Sequence, residues 1–221
     1  MTNSASSFGA YETARICVPG YYFATLLLCY LWALGQAANI PFVLDGIGLF
    51  VLFIGAGLIA GVTLYAKEST KKRKAFQENQ PSLYLKTKAR AMSDVPVMEE
   101  TDARQLYFYI LNNHVPSLFH EKVFFFGTMY HIMIQIRRSS LWFGVLSLVS
   151  LGGLAAYSVS PGALQTLIVF TVLSWLLYLL NVRYNKADRK MQENYQDQIY
   201  WLEMNNDLVE SVIRKRYAAT R

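Results

Sequence analysis

The chain has 221 residues, 53% of them hydrophobic and only 16% charged, with 21 Lys+Arg against 15 Asp+Glu and a net charge of +6. An average soluble domain carries about 25% charged residues, and here the charges are also unevenly placed: none lies between Arg15 and Asp45, between Asp45 and Lys67, or between Arg138 and Arg183. Gaps of that length exclude a soluble globular enzyme, a secreted disulfide scaffold and a disordered tail, and they point to an all-α integral membrane protein.

Residues 1–15 read as a short N-terminal segment. A first span is predicted over 16–38 and a second over 46–66, each about 20 residues and so long enough for a hydrocarbon core of about 30 Å. Asn39, Pro41 and Asp45 mark the connection as a turn. Gly35-Gln36-Ala37 has the small-x-small form of a cleavage site. The apolar run from Ile16 is nevertheless longer than a signal-peptide core, so the first span reads as a retained helix. Cys17 and Cys29 fall about 120° apart on that helix, too far round it to bridge, and read as inert thiols. Gly55, Gly57 and Gly61 give the second span a strip of small residues suited to close helix packing. Leu49 and Phe53 are expected to face lipid.

Residues 67–140 read as a cytoplasmic helical segment. Lys71, Lys72, Arg73 and Lys74 follow the second span within about two turns, where anionic headgroups account for them better than nucleic acid does. Asp94 is expected to cap a helix starting near Pro96, with Glu99, Glu100 and Asp102 in its first turns and Leu106, Ile110 and Leu111 on its apolar face. His114-Val115-Pro116 ends it. A second helix begins near Ser117, carries the aromatic stretch 119–136 and reaches Arg137 and Arg138, which mark the headgroup level before the helix runs on into a third span.

The third and fourth spans, 141–159 and 162–182, lie on either side of Ser160-Pro161. Gly144, Gly152 and Gly153 are further candidates for close packing. The expected architecture is two transmembrane hairpins, 16–66 and 141–182, plus a helical cytoplasmic module from the middle segment and the tail. The two short turns carry no Lys or Arg, so all 21 lie on one side if both termini are inside. The expected location is an inner membrane crossed four times with both termini cytoplasmic.

The tail, 183–221, repeats apolar positions with 4-3 spacing at Tyr195, Ile199, Leu202, Asn206, Val209 and Ile213. This fits a short coiled-coil seam between subunits with Asn206 fixing register. It fits equally an amphipathic helix folded onto the chain's own Leu106, Ile110 and Leu111.

Chemistry is hard to find. The spans carry hydroxyls and amides but no ionisable residue, which argues against a proton-coupled transporter or an intramembrane carboxylate relay. His120 and His131 would lie roughly 16 Å apart along a helix, too far for one metal. No HExxH, CxxC, GxSxG or phosphate-binding glycine loop is present. The sequence therefore predicts no catalytic residue, cofactor or metal. It predicts a non-enzymatic, homo-oligomeric effector or pore, of the kind used in bacterial defence, with a cytoplasmic protein partner or signal. The alternative is an anchor, scaffold or exclusion component that docks a cytoplasmic or conjugation machine.

Overall fold

The computed structural model describes residues 3–40, 45–69, 80–157, 159–184 and 186–218. All secondary structure among them is helical: α1 Asn3–Ala38, α2 Gly46–Ser69, α3 Pro81–Ala91, α4 Glu100–Asn113, α5 Ser117–Ala156, α6 Pro161–Tyr184, α7 Ala187–Met204 and α8 Asn206–Ala218. Within α1, α2, α5 and α6 lie four apolar stretches long enough to cross a membrane. Two compact units emerge. One comprises Gly9–Thr70 and Thr128–Ala187, the other Met1–Phe8, Lys71–Gly127 and Asp188–Arg221.

Local chemistry sets the ends of the apolar helices. Asn39 takes φ 55° and the Ile40 amide donates to the Gly35 carbonyl at 2.9 Å, the long bond that closes a helix through a left-handed residue. Asn tolerates that conformation because its short polar side chain bonds locally. Asp45 then caps α2, its carboxylate accepting the Gly48 amide at 2.6 Å. Ser160 precedes Pro161 at the start of α6 and accepts the Ala163 amide.

In the first unit, α1 touches each of the other three apolar helices. Against α2 the contact is backbone on backbone. A Cβ at Gly20 would stand 2.1 Å from the Gly57 carbonyl oxygen, and one at Gly61 would stand 2.3 Å from the Ile16 oxygen. Only glycine permits that approach. Pro19, buried beside it, also lacks the amide that would serve the Arg15 carbonyl. Tyr21 stacks on Phe53 at 5.3 Å. Phe53 is thus a packing residue rather than the lipid-facing one expected, because its ring covers the tyrosine that flanks the glycines. Ile47, Phe50 and Ile59 are among the most exposed apolar residues of α2.

Between α1 and α5 the ties are polar. Arg15 donates to Thr128 at 3.2 Å, and Tyr22 and Tyr30 meet Ser140 and Ser150, both at 2.7 Å. Each serine hydroxyl already donates to a carbonyl one turn back, so the tyrosines are the donors. Hydroxyls paired in this way avoid the cost of leaving polar groups unsatisfied in apolar surroundings. Phe143 of α5 and Phe170 of α6 close on Tyr30 at 6.0 and 5.9 Å. Leu26, Ala33, Ala37, Leu164 and Leu167 complete this core. Trp175 donates to the Gly144 carbonyl at 3.2 Å, fixing α6 on α5.

The second unit has its own core. Leu85 and Ala89 of α3, Met98 of the connecting segment, Ala103, Leu106 and Ile110 of α4, Leu202 of α7 and Val209, Val212 and Ile213 of α8 form one buried cluster. The α4 helix starts at Glu100, not near Pro96. The reason is Met98, only 2% exposed, which the non-helical segment delivers into the core. Asp94 does not cap a helix; it pairs with Arg214 of α8 at 3.0 Å.

Candidate functional site

The second unit, called the flanking unit because its segments flank the apolar helices in sequence, depends on the tail. A single continuous tail helix is not formed: α7 stops at Met204 and α8 begins at Asn206. Asn205 makes the break, its side chain donating to the Trp201 carbonyl at 2.8 Å and competing with helix continuation. On either side of the break, Leu202 and then Val209 and Ile213 enter the chain's own core, each no more than 1% exposed. Asn206 donates to Glu210 at 3.1 Å, and Glu210 pairs with Lys88 of α3 at 3.1 Å. The Lys88 ammonium, then Asn206, holds the Glu210 carboxyl below its ordinary range. This pair lies at the surface and contributes little.

Facing the core from α7 are two amides, Asn194 and Gln198, 2% and 3% exposed. They stand one turn apart on the same face as Leu202. Tyr107 of α4 donates to Gln198 Oε1. Burial pushes the Tyr107 phenol well above its ordinary value, with Tyr195 adding to the shift, so it remains a donor. Among the described residues, both polar atoms of Asn194 and the Gln198 Nε2 find no partner. A buried amide left unpaired costs about 1–3 kcal/mol. Asn194→Leu, of similar shape, should therefore raise the stability of this unit by about 1–3 kcal/mol. Hydrogen exchange of segments 80–113 and 187–218 reads this; a faster exchange in the variant would show that the amide is satisfied and needed.

Between α4 and α8 a cleft of about 400 Å³ opens, lined by Gln105, Leu106, Tyr109, His114, Leu208, Ser211, Val212, Lys215 and Arg216. Leu106 and Val212 form its buried floor. Tyr109 exposes half its surface and meets the His114 ring edge-on at 5.6 Å. Arg216 pairs with Asp102 at 3.6 Å. The volume lies within the range of small-molecule pockets.

The remaining candidates fall as follows. Gly57 and Gly61 lie at the α1 contact, and Gly144 meets Trp175; a Cβ at Gly55, Gly152 or Gly153 would meet nothing within 4 Å. Tyr195, Ile199 and Asn206 are half-buried. Arg137 and Arg138 are half-buried within α5 and engaged. Lys71, Lys72, Arg73 and Lys74 lie outside the described residues. Sequence reasoning did not single out Asn194, Gln198, Tyr109, Lys215 or the cluster at one end of α1. In that cluster Glu12 pairs with Arg15 at 2.6 Å and accepts from Tyr65 at 2.7 Å. The one legible signal was that Gln198 and Asn194 precede Leu202 by four and eight residues, on one helix face. Comparison with known protein families, curated proteins and solved structures returns no match.

Proposed function

We propose that the chain is a non-enzymatic, homo-oligomeric effector of an inner membrane, whose flanking unit receives a signal or partner and whose spans respond, as a pore or by rearranging. In this reading α1 with α2 and α5 with α6 are two hairpins, and the flanking unit and both termini lie in the cytoplasm. The observation that carries it is a flanking unit with a buried core and an open cleft of its own, built from the segments around the spans. The bundle supports the reading too. Glu12 and Arg15 pair near the start of α1, and the runs 16–44, 46–66 and 139–182 carry no charged residue for relay chemistry.

Planar bilayers containing the purified chain test the pore. Discrete conductance steps are expected, and Gly61→Leu should abolish them by separating α1 from α2. A silent bilayer, together with a stoichiometric soluble protein recovered with the chain, would favour an anchor instead. The exposed Phe108, Leu118 and Phe125 of the flanking unit supply a docking face for that second reading.

A further inference from the structure

We propose that the cleft between α4 and α8 is a binding site for a small amphipathic anion, an aromatic or aliphatic body carrying one phosphate or carboxylate. The proposal rests on reading the flanking unit as the receiver, and it names what is received. Three features of the cleft carry it.

The floor is apolar. Leu106, Leu208 and Val212 line it, and the half-exposed Tyr109 ring offers a flat face at its side. A space of about 400 Å³ against such walls forfeits the dispersion contacts that packed cores make, and an apolar body restores them. The rim is cationic. Lys215 and Arg216 stand together at the end of α8, and Lys215 has no ion-pair partner among the described residues. The acids nearby are engaged, Asp94 by Arg214 at 3.0 Å and Asp102 by Arg216 at 3.6 Å. Two polar side chains, Gln105 and Ser211, line the same cleft. The Gln105 amide has no partner among the described residues and can donate to an anion, while the Ser211 hydroxyl, which donates to the Leu208 carbonyl at 3.1 Å, would have to turn its proton away from that carbonyl to do the same. The lining covers about two turns of each helix, which suits a small molecule better than a docked helix.

The two basic residues also complement the α8 dipole, as cations at a helix end do. That role accounts for their charge but not for the apolar cavity beside them, and the test separates the two. The full chain is placed in nanodiscs of phosphatidylcholine and titrated calorimetrically with 1-naphthyl phosphate, with empty discs as reference. One saturable site per protomer is expected. Lys215→Glu and Tyr109→Ala change exposed residues and should each weaken binding about tenfold, the value of one charged contact or one ring face. Inorganic phosphate and 1-naphthol should also bind at least about tenfold more weakly than the joined molecule. Heat without saturation overturns the site. So does an unchanged Kd in both variants with an unchanged melting temperature, and so does phosphate binding as tightly as the naphthyl ester. Discs containing phosphatidic acid distinguish the source: competition assigns the anion to a lipid headgroup, and unchanged binding assigns it to the soluble pool. Binding with silent bilayers removes the pore and keeps the site; conductance without binding does the reverse.

Discussion

Leu202→Asp should unfold the flanking unit and leave the apolar helices packed. Leu202 is 1% exposed and touches a core drawn from α3, α4, α7 and α8. A carboxylate there has no cation to pair with among the residues of that core, so it either desolvates or drags its neighbours into water. The expected loss is about 4 kcal/mol or more, in the range reserved for buried unpaired charges. Ile199→Asp, at a half-buried position on the same helix, should cost far less. The apolar unit keeps Tyr30, Phe143, Phe170 and Leu167 in a separate cluster, so its exchange protection should hold. Hydrogen exchange resolved by segment reads both. If Leu202→Asp instead splits an oligomer into stable folded protomers, seen by native mass spectrometry, the tail is a seam between subunits.

Adding a single methyl at Gly20 or Gly61 should separate α1 from α2. The new carbon would stand 2.1 Å from the Gly57 oxygen or 2.3 Å from the Ile16 oxygen, and backbone cannot rotate away as a side chain can. Overpacking of this kind costs about 1–3 kcal/mol. At Gly57 the nearest atoms to a new Cβ belong to the Tyr21 ring, at 2.4 Å and beyond, and a side chain can shift where backbone cannot, so Gly57→Ala should cost less. Gly55→Ala and Gly152→Ala enter open space and should be neutral or stabilise by up to about 1 kcal/mol through helix propensity. Unfolding in detergent micelles ranks the five variants. Equal losses at all five would show that glycine matters here for flexibility, not for close approach.

The contrast among these glycines shows what a sequence can and cannot disclose. Charge gaps revealed the four apolar helices because a bilayer-length run without ionisable residues has few other uses. The α4 end at His114 and the long helix from Ser117 through Arg138 were legible from Pro116 and from the uncharged run that follows. Spacing alone treats Gly55, Gly57, Gly61, Gly152 and Gly153 alike, yet only the facing helix decides which of them must lack a side chain. The same holds for Phe53, whose role depends on Tyr21. The start of α4 was misplaced because acidic residues after Asp94 resemble a helix start, and nothing local shows that Met98 is needed in the core. The 4-3 spacing of the tail identified Leu202, Val209 and Ile213 as one apolar face. It gave no sign of the break at Asn205, which depends on one side chain turning back to Trp201. The cleft was invisible, since Tyr109 and Lys215 are brought together only when α8 folds onto α4.

Cysteine labelling from outside intact cells tests most directly the claim that four spans hold the flanking unit and both termini on the inner side. Cys17 and Cys29 are first replaced by serine, and single cysteines are placed at the exposed Ile40 and Tyr157, and at Thr87 in α3. An impermeant maleimide should modify the first two and spare Thr87→Cys until the membrane is opened. Labelling of Thr87→Cys in sealed cells, with Ile40→Cys protected, would contradict the account.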